Sequence, residues 1–204
     1  MDSKAYWETI YRQRAPTEVS WYQANPDISL ALIEATGIGR DAAIIDVGAG
    51  ASLLVDKLLE AGFTHLTALD ISATALQRAR ERLAEHAKLV TWVEGDVTAM
   101  SPLGSFEVWH DRAVFHFLTE ANQRHRYLQA VEQQLSANGH LIIATFALSA
   151  PPQCSGLPVQ RYSPETLRRE FGDHFELVEM RHEAHRTPRQ TTQSFLYTRF
   201  RRVA

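Results

Sequence analysis

Residues 44–52, Ile-Ile-Asp-Val-Gly-Ala-Gly-Ala-Ser, constrain this chain more than any other stretch. An apolar run ends in an acid and passes at once into a Gly-x-Gly turn. Residues 42–47 have the profile of a parallel strand buried on both faces, and 51–61 that of the helix after it. Gly48 and Gly50 allow a sharp turn and a close approach of backbone to a ligand. Such a turn at a helix N-terminus ordinarily receives something negative. Asp46, however, already sets a carboxylate at the strand tip. A pyrophosphate would be repelled there and an ammonium attracted. The sign of the charge therefore points away from a dinucleotide and toward S-adenosylmethionine, whose methionine end carries an amino group and a sulfonium.

The rest of the chain extends this opening into a rhythm. Strand 65–70 precedes a helix over 73–86 with Ser72 as its N-cap. Strand 88–94, strand 106–110, a helical turn at 113–118 and helix 121–136 come next. Asn138-Gly139 reads as a helix stop, and strand 140–146 closes the series. Alternating strands and helices imply parallel βαβ units and a doubly wound sheet. After the Pro-rich loop 147–162 the rhythm breaks. A helix from Ser163-Pro164-Glu165 to about Phe171 leads into strands 174–182 and 191–200 with no helix between them. These pair most simply as an antiparallel hairpin, which makes the sheet mixed. Ahead of the core, 3–13 is a short amphipathic helix, 14–25 an irregular leader and 27–36 a helix. The expected organisation is one domain over 1–204: N-terminal leader and helices (1–39), cofactor-binding core (40–146), then loop, helix and terminal hairpin (147–204).

In a sheet of this kind the ligand crevice lies beyond the carboxyl ends of the strands. Asp46, Asp70, Asp96 and Asp111 all fall at such ends. Asp70, 20 residues after Gly50, can accept from both hydroxyls of a ribose. Asp96, in Gly95-Asp96-Val97, can accept from an adenine amino group, with Val97 against the ring. Taken together, Asp46-Val-Gly-Ala-Gly, Asp70, Gly95-Asp96-Val97, the 106–111 strand and Leu135-Ser-Ala-Asn-Gly-His-Leu-Ile-Ile resemble class I S-adenosylmethionine-dependent methyltransferases. The resemblance covers about 40–146. It implies a seven-stranded α/β sheet of order 3-2-1-4-5-7-6, with S-adenosyl-L-methionine as cofactor. It also implies Asp46, Gly48 and Gly50 around the methionine part, Asp70 at the ribose, and Asp96 with Val97 at the adenine, with Ile71 also among the cofactor-binding residues. Ser52 departs from the pattern, because many members carry a third glycine there.

The leader is similar to that of a subgroup with Tyr-Trp-x-x-x-Tyr and a later Trp, here Tyr6, Trp7, Tyr11 and Trp21. A ring over a sulfonium would be a cation–π contact, a role expected of Trp21. Trp7 and Tyr11 read instead as anchors of a terminal helix. Asp111 and His116 are the candidate general bases near the methyl donor; His110, at a strand end, reads as structural. Asp111-Arg112-Ala113-Val114 stands where nucleobase amino-methyltransferases carry Asn/Asp-Pro-Pro-aromatic, so that chemistry loses support.

The net charge of −3 argues against a partner bound through nucleic-acid phosphates. The single cysteine, Cys154, permits no intrachain disulfide or thiolate cage, and no metal is expected. No apolar run is long enough to span a bilayer, and the first residues lack the apolar core of a signal peptide, so a cytoplasmic protein without membrane attachment is expected. The expected reaction is methyl transfer to O, N or S of a small-molecule acceptor. The alternatives are a protein side chain as acceptor, or a nicotinamide-dependent oxidoreductase. The oxidoreductase reading suffers because Leu53 occupies the place of the third fingerprint glycine.

Overall fold

A computed structural model describes residues 2–203. Its centre is a seven-stranded sheet built from β1 (Ala43–Val47), β2 (His65–Asp70), β3 (Val90–Glu94), β4 (Phe106–Arg112), β5 (Leu135–Phe146), β6 (Phe175–Arg186) and β7 (Thr192–Arg202). In these labels the order is β3-β2-β1-β4-β5-β7-β6, as the resemblance implied. The first five strands pair in parallel; β7 runs antiparallel between β5 and β6. Two-residue strands at Gln153–Cys154 and Leu157–Pro158 form a separate small hairpin within the Pro-rich loop.

Burial arises from the apolar runs. Ile44 and Ile45 in β1 point to opposite faces of the sheet, and each joins a different core. One core gathers Leu54, Leu58, Phe63, Phe146 and Tyr197; the other gathers Trp109, Tyr127, Leu167 and Phe171. Helices α1 (Ser3–Gln13), α2 (Asp27–Glu34), α3 (Leu54–Glu60), α4 (Ala73–Leu83), α5 (Ala121–Gln134) and α6 (Pro164–Phe171) cover the sheet. Ser72 caps α4 by accepting from the Ala75 amide at 3.1 Å, and Ser163 caps α6 by accepting from the Thr166 amide at 3.2 Å. Among the described residues no helix is long and apolar enough to cross a membrane.

Several expected boundaries shift. Helix α3 begins at Leu54 instead of 51, because Ser52 Oγ first accepts from the Leu54 amide (3.1 Å). Strand β5 begins at Leu135, and Asn138-Gly139 lies inside it. Leu135 pairs with Phe106 and His140 with Val108; the extra residues form a bulge where Asn138 takes φ +63°. A turn residue therefore bends the strand where the sequence suggested a helix stop. Strand β6 extends to Arg186, past the expected end at 182.

Candidate active site

Above the carboxyl ends of β1–β4 lies a cleft enclosing about 980 Å³ of empty space including its open mouth. This is the size range of small-molecule sites. Its floor carries Gly48, Asp70 and Ile71, Asp96 and Val97, and the segment 112–114 at the end of β4. Its roof is the leader: Ser3, Trp7, Tyr11 and Trp21. A smaller chamber adjoins it, sharing Tyr11, Trp21, Gly48 and Arg112 and adding Asp46, Ser29 and His110.

The Gly-x-Gly turn is tightly used. Gly48 takes φ +69°, and a Cβ there would sit 2.0 Å from Val114 Cγ2; a Cβ on Gly50 (φ +53°) would sit 2.4 Å from the Tyr11 hydroxyl. Both positions need glycine. The amides of Gly48 and Ala49 donate to the Leu69 carbonyl (2.8 and 3.0 Å), and that of Gly50 donates to Asp70 Oδ2 (2.8 Å). Three consecutive N–H groups are thus turned toward the neighbouring strand. They are not arrayed as a phosphate cradle, which removes the main attraction of this turn for a dinucleotide.

Asp70 is buried. Its Oδ1 accepts from the Ser72 amide at 2.8 Å, so each oxygen is oriented by one backbone donor and keeps lone-pair capacity toward the cleft. Burial pushes its carboxyl up to about 7, against the pull of the Ser72 and Gly50 amides, with Asp46 and Glu8 adding to the rise. Asp96 is oriented from below by Thr98, whose amide and hydroxyl both donate to Oδ1 at 2.8 Å. Val97 is buried against the apolar side of the same wall.

Asp46 lies in the smaller chamber, apart from the Asp70–Asp96 wall. Its Oδ1 is 2.7 Å from His110 Nδ1, and Oδ2 is buried with no hydrogen-bond partner among the described residues. A buried carboxylate oxygen without a donor is costly unless something cationic meets it. This orphaned oxygen, the ribose-competent Asp70 and the turned-in glycine amides together suit an adenosyl ligand with an ammonium group, and they suit a diphosphate poorly.

Asp111 and His116, the expected bases, line neither cavity. Both are fully buried. Asp111 accepts from the Val114 and Phe115 amides (2.9 and 3.1 Å) and from the Tyr127 hydroxyl (2.7 Å), so it clamps the turn after β4. Burial raises its carboxyl to about 6 despite those donors. His116 Nδ1 accepts from the Phe146 amide at 3.2 Å, and its ring packs among Phe117, Phe146 and Phe195. Burial, helped by the Arg112 charge, lowers it to about 3. Strand β4 runs on to Arg112, past the expected end, and its acid turns toward the core. The expectation that these two residues face the methyl donor is corrected on these grounds. Gly50 likewise lines neither cavity and acts through its bond to Asp70.

Conversely, Trp7 and Tyr11, read as anchors, line the cleft beside Trp21. Trp7 packs edge-on to both Trp21 (5.7 Å) and Phe117 (5.1 Å). Their helical spacing was visible, but which side of α1 met α4 was not. Glu8 fixes that side by accepting from the Thr74 amide and hydroxyl at 3.1 and 2.5 Å.

Residues 44–139 match the family model described as methyltransferase domain. Just under half of the chain is thus matched to a methyltransferase domain. EEF1A lysine methyltransferase 2 of Danio rerio is 25% identical over 161 residues, 71% of this chain and 69% of that protein. The eEF1A lysine and N-terminal methyltransferase of Bos taurus is 25% identical over 138 residues, 67% of this chain but only 19% of that much longer protein. Among solved structures, the N-methyltransferase NodS of Bradyrhizobium japonicum, in complex with S-adenosyl-L-homocysteine, superposes with TM-score 0.74 at 17% identity, covering 98% of this chain and 99% of NodS. A structure from the conversion of a disulfide bond into a thioacetal group in echinomycin biosynthesis reaches TM-score 0.79 at 18% identity, covering 98% and 91%. At these identities the structural likenesses establish the fold alone.

Proposed function

We propose that this methyltransferase domain uses S-adenosylmethionine to methylate oxygen, nitrogen or sulfur of a small-molecule acceptor inside the leader-covered cleft. The observation that carries the cofactor assignment is that Gly48, Asp70, Ile71, Asp96 and Val97, from three adjacent strand ends, line one cleft. Bound there, the cofactor supplies a methyl group on a sulfonium, already a strong electrophile. Asp70 would receive the ribose hydroxyls, Asp96 and Val97 the adenine, and Asp46 the ammonium. Trp21 would lay its ring near the cationic centre, an attraction worth roughly 0.5–2 kcal/mol. The chain's remaining task is to hold the acceptor in line and keep water out, which can supply on the order of 7–11 kcal/mol of the barrier. We assign Asp111 and His116 to shaping the turn that forms the cleft wall, because neither reaches the cavity.

The small-molecule assignment rests on the roof. The Tyr6 hydroxyl donates to the Ser155 carbonyl and so ties α1 to the Pro-rich loop across the cleft. Trp7, Trp21 and Phe117 narrow the mouth with aromatic rings. A protein side chain is the second reading, favoured by the relatives named as eEF1A lysine methyltransferases. Incubating the enzyme with methyl-labelled S-adenosylmethionine and a cell extract split by size separates the two. Label in the low-mass fraction is expected; label confined to the protein fraction would overturn the acceptor class and leave the cofactor assignment intact.

A further inference from the structure

Among the described residues, the titratable side chains lining the main cleft are Tyr11, Asp70, Asp96, Arg112 and Cys154. Asp70 and Asp96 are taken up by the nucleoside half of the cofactor as assigned above. Burial pushes the Tyr11 hydroxyl and the Cys154 thiol up, so both stay neutral near neutral pH. Arg112 is then the fixed charge that an acceptor meets, and it is positive.

The guanidinium is rigidly held on three sides. Nε donates to the Tyr197 hydroxyl (2.7 Å), Nη1 donates to the Trp21 carbonyl (2.9 Å), and the group stacks 4.4 Å over the Phe195 ring. Nη2 is buried with no hydrogen-bond partner among the described residues. Glu183 does not complete it. The Glu183 Oε2 lies 3.7 Å from Nη2, beyond hydrogen-bond reach, and its carboxylate already accepts from Gln23 (2.7 Å) and Tyr197 (2.9 Å). Glu183 lines neither cavity, whereas Arg112 lines the cleft together with Trp21, Phe117 and Cys154.

A buried guanidinium N–H without an acceptor is costly until an anion meets it. The cost grows when the cofactor arrives, because its sulfonium adds a second positive charge to the same cleft. An anionic group carried by the acceptor would be attracted to both cations. A lysine side chain would instead bring a further positive charge, and the described lining keeps no uncommitted carboxylate to receive it. We propose that the methyl acceptor is a small molecule bearing a carboxylate, and that Arg112 selects it; this rests on the small-molecule reading given above. One unclaimed nitrogen matches the single charge of a carboxylate. A phosphate's second charge would call for another cation, and the described lining holds none.

The test splits the low-mass fraction of a cell extract on an anion exchanger at neutral pH. The retained and unretained pools are each incubated with the enzyme and methyl-labelled S-adenosylmethionine. Label is expected from the retained pool alone, whether or not that pool is first treated with phosphatase. With the retained pool limiting, Arg112→Met should lower the initial rate by about tenfold or more, the loss should shrink as the pool is concentrated, and Arg112→Lys should recover part of it. In calorimetry Arg112→Met should hold the S-adenosylhomocysteine Kd within about threefold, which shows a folded variant whose defect lies with the acceptor. A tenfold loss there would assign Arg112 to the methyl donor and overturn the proposal. So would acceptor activity in the unretained pool, its destruction by phosphatase, or an unchanged rate for Arg112→Met. Label from neither pool would overturn the small-molecule reading as well, and a wild-type chain that does not bind S-adenosylhomocysteine would overturn the cofactor assignment.

Discussion

Asp70 and Asp111 invite a direct comparison. Both close parallel strands of the same sheet, both are buried, and both accept two backbone amides. Burial lifts both carboxyls, to about 7 and about 6. Yet Asp70 lines the cleft, while Asp111 gives its remaining capacity to Tyr127, which in turn receives the Trp109 indole N–H at 3.0 Å. The difference lies in the residues just after each acid. After Asp70 the chain turns straight into a capped helix, leaving the carboxylate at the mouth. After Asp111 a short 3₁₀ turn, Phe115–Phe117, folds over it. An acid at a strand end is therefore a ligand group or a turn clamp according to the local path of the chain beyond it.

The comparison can be broken most severely at Asp111. Asp111→Ala leaves three donors without an acceptor, two of them buried, and should cost about 3–5 kcal/mol in chemical denaturation. A loss below about 1 kcal/mol would show that the clamp is not structural. Asp70→Ala should instead act on the ligand, weakening S-adenosylhomocysteine at least about tenfold in calorimetry; an unchanged Kd would place the ribose elsewhere.

The lifted carboxyl of Asp70 sharpens the contrast through pH. Its folded value lies above its unfolded one, so its own contribution favours the fold at low pH and is lost as pH rises through about 7. Ligand binding runs the other way, because the ionised acid is the better acceptor. The Kd for S-adenosylhomocysteine should tighten by about tenfold from pH 6 to pH 8, a trend that Asp70→Asn abolishes. A flat profile in the wild-type chain would contradict it. The smallest effect belongs to His116: His116→Gln should leave kcat on any acceptor that turns over within about fivefold, whereas a true general base would cost roughly 10²–10⁴-fold.

Much of this architecture was legible in the sequence. The apolar runs at 43–47 and 65–70 announce buried parallel strands, and the acids at their ends mark the crevice. Ile71, Asp96, Val97 and Trp21 line the cleft, as their positions at strand ends and in the leader suggested. Side-chain direction was not legible. A strand alternates faces, but no rule of spacing says whether Asp46 turns to the Asp70 wall or to His110. Arg112 escaped notice for the same reason: next to an acid it reads as an ordinary charge, and only its seat against Trp21, Phe195 and Tyr197 isolates one N–H. Asn138-Gly139 misled because positive φ serves a strand bulge as well as a helix stop.

The central claim is that the cleft was shaped for a cationic adenosyl ligand and not for a diphosphate. Thermal unfolding with S-adenosylmethionine, S-adenosylhomocysteine and NAD side by side addresses it most directly. A sulfur nucleoside at 100 times its Kd should stabilise the fold by about 2.7 kcal/mol, a rise of about 5–10 °C in Tm for a chain of this size, with NAD giving none. A shift with NAD and none with the sulfur nucleosides would contradict the account.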